Sequence, residues 1–261
     1  METRLYKNTA YYARYTENSS LGVIIVHGLT EHKGRYEEFA NELFQSSISV
    51  FAIDLRGHGE SSGAKGDLLR FEDYLTDIDA FVKHIKAEFP DMKLAIFGHS
   101  LGGLVATAFV EKSDLINLLI LSSPVLELPS KIKKVRWLPA WLLGSLKFKK
   151  RHSESKEMLK YGRNDPLACQ FTTLRLLKAA FIHGVRRVKR IFQNITLPVL
   201  MLGGQLDNLV NSGNLNSILE KFGSSDKTII IYKNAKHRIV QNDAKDTAIA
   251  DIIDWLKIRG L

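Results

Sequence analysis

Two rhythms of apolar residues alternate along the first half of the chain. Residues 22–26, 47–55, 93–97 and 117–121 are short runs rich in Val, Ile and Leu, the pattern of strands buried on both faces. Segments with helical spacing lie between them. Tyr36, Phe39, Ala40, Leu43 and Phe44 share one face of a helix over 35–44, and Leu75, Ile78, Phe81, Val82 and Ile85 share one over 71–89, which Pro90 ends. Residues 101–110 form a third helix. The succession βαβαβαβ predicts an α/β chain with a parallel sheet and helices on both faces.

After Pro124 the alternation stops. Residues 127–192 show helical stretches with no strand between them; strands return over 198–202 and 228–232, with helices over 215–222 and 246–257. The outer parts, 1–126 and 193–261, therefore form one core, and 127–192 is an insertion. A length of 261 residues suits one α/β domain. Charge separates the parts further. Of 37 Lys and Arg and 28 Asp and Glu in the chain, 127–192 holds 17 and 4, a local excess of +13 that leaves the remainder at −4. The single Cys169 can form neither an internal disulfide nor a Cys-based zinc site and reads as a packed thiol. The N-terminal residues lack a secretion-signal pattern, and no apolar run reaches the roughly 18 residues of a spanning helix, so a cytoplasmic chain is expected. No nucleic-acid motif accompanies the basic segment, and nucleic acid is not an expected partner.

Function in a parallel sheet gathers at the carboxyl ends of the strands. Strand 93–97 runs into Gly98-His99-Ser100-Leu101-Gly102, a G-x-S-x-G pattern whose small residues permit the sharp turn that lifts a serine hydroxyl clear of the chain. Ser100 is the expected nucleophile. A serine needs a base, and the base needs a carboxylate that fixes its tautomer, in the chain order Ser, acid, His. Of His152, His183 and His237 downstream, only His237 lies just beyond a sheet strand. Asp207 follows strand 198–202 through Gly203-Gly204, whereas Asp226 precedes a strand and Asp243 follows the histidine. His237 is the expected base and Asp207 the acid. An oxyanion requires two backbone N–H donors, for which Leu101 and, in the loop His27-Gly28-Leu29, Leu29 are the candidates. His27, His58, His99 and Asp54 read as structural. This chemistry calls for no metal and no organic cofactor.

His27-Gly28, Glu31-His32-Lys33-Gly34-Arg35-Tyr36, Asp54-Leu55-Arg56-Gly57-His58-Gly59-Glu60-Ser61 and Gly98-His99-Ser100-Leu101-Gly102-Gly103 together resemble the α/β-hydrolase superfamily, specifically its monoacylglycerol lipase and lysophospholipase branch. The resemblance covers nearly the whole chain, and Asn164-Asp165-Pro166 and Asp207-Asn208-Leu209-Val210 share it. It implies a mostly parallel sheet with a helical cap inserted after the sixth strand, and a serine esterase that cleaves lipids with one acyl chain through an acyl-Ser100 intermediate. Serine at position 100 departs from the dehalogenase and epoxide-hydrolase branches, which use aspartate. Leu29-Thr30 stands where smaller residues are usual in the lipases, and its bulk would reshape the acyl pocket. The same triad also serves acyl transfer or thioester hydrolysis, and a hydrolase scaffold can act as a slow-turnover receptor; these alternatives stay open.

Within the cap, Trp137, Leu138, Trp141, Leu142, Leu143 and Leu146 lie among Lys131, Lys133, Lys134, Arg136, Lys147, Lys149, Lys150 and Arg151. Two readings of this segment stand. It rests on an anionic membrane as a peripheral contact, or its apolar face packs on the acyl tunnel while the lysines are solvated.

Overall fold

The computed structural model describes residues 2–16, 19–129, 132, 137, 146–149, 165–241 and 244–260. Six of its strands are those expected from the apolar runs: β3 (Leu21–Val26), β4 (Ser49–Ile53), β5 (Lys93–His99), β6 (Leu118–Ser122), β9 (Val199–Gly204) and β10 (Lys227–Tyr232). All pair in parallel with their sheet neighbours in the order β4-β3-β5-β6-β9-β10. Two strands were not expected. β1 (Arg4–Tyr6) and β2 (Thr9–Arg14) form a hairpin that adds antiparallel to β4 and completes an eight-stranded sheet. β1 has only three residues, and β2, with the sequence Thr-Ala-Tyr-Tyr-Ala-Arg, lacks the Val, Ile and Leu run by which the other strands were read.

Side chains of one strand divide between two apolar layers, as the two-residue period demands. Leu21, Val23 and Ile25 of β3 pack with α1 (Glu37–Gln45) and the C-terminal helix, Lys245–Gly260, on one face. Ile24 and Val26 pack on the other, with α2 (Phe71–Glu88) and α3 (Leu101–Val110). Each central strand is thus apolar on both sides. All ten residues of α3 are buried, which explains why its sequence shows no polar stripe.

The insertion differs from the expectation of a wholly helical segment. β7 (Lys147–Lys149) and β8 (Phe171–Thr173) pair antiparallel in a small second sheet. Runs of three residues carry no readable periodicity, and their pairing spans a separation that local pattern does not report. A helical arm over 174–191 follows, α-helical at both ends and π-helical over Lys178–Gly184. Its Leu176, Phe181, Val185 and Val188 are buried in the same layer as α3. Lys131, Lys133, Lys134, Arg136, Leu138, Trp141, Leu142, Leu143, Lys150, Arg151, His152 and Asn164 lie outside the described residues. Trp137 is exposed.

Candidate active site

The carboxyl ends of β5, β9 and β10 and the loops beyond them converge on one place. Ser100 follows β5 directly, with φ +53° and ψ −111°, a conformation rarely adopted by a residue with a side chain. Close packing holds it there. A Cβ on Gly98 would stand 2.4 Å from the Gly102 carbonyl oxygen, and one on Gly102 would stand 2.1 Å from that of Val26. Both glycines are required by the approach of β5, α3 and β3, the structural content of the G-x-S-x-G pattern.

The three side chains expected from the sequence meet. His237 Nε2 lies 3.0 Å from Ser100 Oγ, and His237 Nδ1 lies 2.8 Å from Asp207 Oδ2. The other Asp207 oxygen accepts from the backbone N–H groups of Leu209 and Val210 at 2.8 and 3.0 Å, so the carboxylate is fixed from both sides. Burial alone would push the Asp207 carboxyl up; the His237 hydrogen bond and these two amides outweigh it and hold it below its ordinary value. A carboxylate on Nδ1 places the proton there and leaves Nε2 as the acceptor for a serine proton.

Backbone geometry sets the candidate oxyanion donors. The Gly28 carbonyl accepts from His27 Nδ1 at 2.7 Å and from Glu31 N–H at 3.2 Å. In a trans peptide the following N–H, that of Leu29, points the opposite way from that carbonyl. Leu101 N–H is the first of α3, where a helix has no internal acceptor for it.

The residues read as structural make structural contacts. His27 Nε2 accepts from Leu55 N–H at 3.0 Å, and burial pushes its pKa down. Burial also drives His58 and His99 to about 3, so both are neutral. The His99 ring packs against that of His237, centroids 4.8 Å apart. Asp54 is enclosed, accepting from Lys33 N–H at 2.7 Å, Lys33 Nζ at 2.9 Å and Glu60 N–H at 2.8 Å. Asp226 pairs instead with Arg259 of the C-terminal helix, and Asp243 lies outside the described residues. The Cys169 thiol is buried and donates to the Gly57 carbonyl at 3.3 Å. Among the described residues no cluster of His, Cys, Asp and Glu could hold a metal, and no helix is long and apolar enough to cross a membrane.

Two groups around the site were not singled out by residue-level reading. Asp165 Oδ2, within the segment 127–192, accepts from His32 Nε2 at 2.8 Å and from Arg35 at 2.9 and 3.1 Å. Glu31 is buried under the Gly28 loop. Both sit in motifs noticed only for their resemblance; a polar residue among polar neighbours in sequence carries no signal of a partner 133 positions away.

Comparison with known proteins agrees with the architecture. The model of the serine aminopeptidase S33 family matches residues 18–245. Monoglyceride lipase of Homo sapiens is 30% identical over 225 residues, covering 82% of this chain and 74% of that protein. The Mus musculus enzyme is 28% identical over 250 residues, covering 91% and 82%. The crystal structure of Paleococcus ferrophilus monoacylglycerol lipase superposes with a TM-score of 0.84 at 25% identity, covering 99% of this chain and all of that one. With its elbow serine, its parallel sheet and these likenesses over most of its length, the chain belongs to the serine aminopeptidase S33 family of α/β-hydrolases, on the branch that resembles monoglyceride lipases.

Proposed function

We propose that the chain hydrolyses the carboxylic ester of lipids with one long acyl chain, a monoacylglycerol or a lysophospholipid, through an acyl-Ser100 intermediate. The observation that carries this reading is the hydrogen-bonded line from Ser100 Oγ through His237 to Asp207. In the proposed cycle His237 takes the serine proton as Oγ attacks the ester carbonyl, then returns it to the leaving alcohol. Water, deprotonated by the same histidine, releases the fatty acid. Asp207 keeps the imidazole in the required tautomer and stabilises its cation. Leu29 and Leu101 N–H groups receive the oxyanion, each worth on the order of 10²-fold in rate.

Residues 1–126 and 193–261 act as the catalytic core in this reading and 127–192 as a cap over it. The basic excess of the cap, with Trp137 exposed, supports contact with an anionic membrane. A panel of p-nitrophenyl esters from C2 to C16, followed by monoacylglycerol and lysophosphatidylcholine, tests the substrate class. Rates that peak at acetyl and vanish on both lipids would overturn it.

A further inference from the structure

We infer that Glu31 and Arg238 form a clamp that sets the oxyanion loop and the His237 loop in one register, making both positioning residues of the Ser100 reaction. The inference rests on the proposed mechanism. Its structural basis is a carboxylate whose hydrogen bonds go to Gly28 in the oxyanion loop, to Tyr36 and to Arg238 beside His237.

Glu31 Oε2 accepts from Gly28 N–H at 3.1 Å and from the Tyr36 hydroxyl at 2.7 Å. Glu31 N–H meanwhile holds the Gly28 carbonyl at 3.2 Å. Side chain and backbone of one residue thus fix the peptides on either side of Gly28, and through them the direction of Leu29 N–H. The second oxygen, Oε1, accepts from Arg238 Nε at 2.5 Å, across 207 positions of sequence. Arg238 follows His237 directly. The side chains of Glu31 and Arg238 are 2% and 13% exposed, so the pair is held with little competition from water.

Geometry of this kind matters because an oxyanion donor and a base act on the same reacting centre, and a misplacement of about 1 Å costs on the order of 10²-fold in rate. The His237 loop is also tied to the β9 loop, by Leu206 N–H to the Ala235 carbonyl at 2.9 Å and by His237 to Asp207; the Glu31–Arg238 pair joins it to the oxyanion loop. The pair also balances charge near the base. His237 is faced by Asp207 on the β9 loop, by the neutral His99 of β5 and by Ser100, with Arg238 beside it; Glu31 is faced by Arg238, Tyr36, His99 and Arg35. Removing one partner leaves the other uncompensated, with opposite sign.

Four variants test the clamp: Arg238→Met, Arg238→Lys, Glu31→Gln and the double Glu31→Gln/Arg238→Met. Readouts are the rate of fluorophosphonate labelling of Ser100, and kcat and KM on a soluble short-chain ester. Arg238→Met is expected to lower kcat and labelling by about 10- to 100-fold with KM nearly unchanged. Arg238→Lys, which keeps the charge, recovers part of that loss. The double variant is no slower than the slower single one, as for two residues acting as a unit. Wild-type kcat in Arg238→Met, a loss that falls on KM rather than kcat, an Arg238→Lys no faster than Arg238→Met, or losses that multiply in the double variant overturn the clamp. Should Glu31→Gln not fold by circular dichroism, the two Arg238 variants decide through kcat and KM. Labelling that persists in Ser100→Ala overturns the nucleophile assignment instead, an outcome distinct from failure of the clamp.

Discussion

The sheet and the root of the insertion are held by different forces. Around β3, β5 and β6 nearly every side chain is apolar and buried, and polar groups are confined to strand ends and loops. At the root of the insertion the joints are ionic. Asp165 takes His32 and Arg35, Asp67 takes Thr173 and Arg175, and Glu111 pairs with Arg187 at 3.3 Å. The arm over 174–191 has both kinds of contact, since its apolar face joins the layer of α3. Burial is non-directional and scales with area, so it specifies a layer; a hydrogen-bonded ion pair specifies a point. The core is thus fixed as a body, and the segment 127–192 joins it both through the apolar face of its arm and at discrete ion-paired positions.

Substitutions at the two places separate these roles, and the largest effect belongs to the core. Ser100→Ala is expected to lower kcat on the order of 10⁶-fold while thermal unfolding stays near wild type, as measured by single-turnover assay and circular dichroism. Asp207→Asn should cost about 10³ to 10⁴ in kcat, because the amide favours the wrong histidine tautomer. A near-wild-type Asp207→Asn together with an inactive Asp54→Asn would place the acid elsewhere.

Stability sharpens the contrast. Phe97 of β5, fully buried against Phe39 with ring centroids 4.9 Å apart, should cost about 3 to 5 kcal/mol on truncation to alanine. Asp165→Asn should cost less, about 1 to 3 kcal/mol, by weakening charge-assisted hydrogen bonds. It should also carry a pH signature. Burial raises the Asp165 carboxyl, but His32 and Arg35 outweigh that and hold it below its ordinary value, and Arg175 and Thr173 do the same for Asp67. A carboxyl depressed in the folded state contributes stability that is complete above its unfolded value, about 4, and fades as pH falls through the folded value. Denaturant midpoints of wild type and Asp165→Asn should therefore differ at pH 7 and converge below about pH 4.

The smallest effect on chemistry is expected at the basic surface. Replacing Lys147, Lys149, Lys150 and Arg151 by glutamine should leave hydrolysis of a soluble short-chain ester nearly unchanged while weakening attachment to anionic vesicles, each charge near a membrane being worth about 1 kcal/mol. Lys147 sits 4.4 Å from the Phe171 ring centre, so its share also reports that contact. Equal vesicle binding at low ionic strength would show this cluster to be solvated surface.

Sequence alone marked out the parallel core and pointed to Ser100, Asp207 and His237, three side chains that meet in one hydrogen-bonded line, because each signal is local: apolar runs with a fixed period, a glycine-bounded serine after a strand, a histidine and an aspartate after two others. The strained turn at Ser100 was legible for the same reason, since Gly98 and Gly102 must be small wherever such a turn occurs. Tertiary structure alone decided the rest. β1, β7 and β8 are too short for periodicity to register, β2 lacks a Val, Ile and Leu run, and the partners of β2 and β7, which are β4 and β8, lie far along the chain. Asp165, Glu31 and Arg238 are ordinary polar residues in sequence, and their roles exist only where folding brings them to partners 133 and 207 positions away, within 3 Å and largely out of water. A hydrogen bond has a direction and a length that apolar patterning does not encode, so the sheet could be read along the chain while the contacts that align its loops could not.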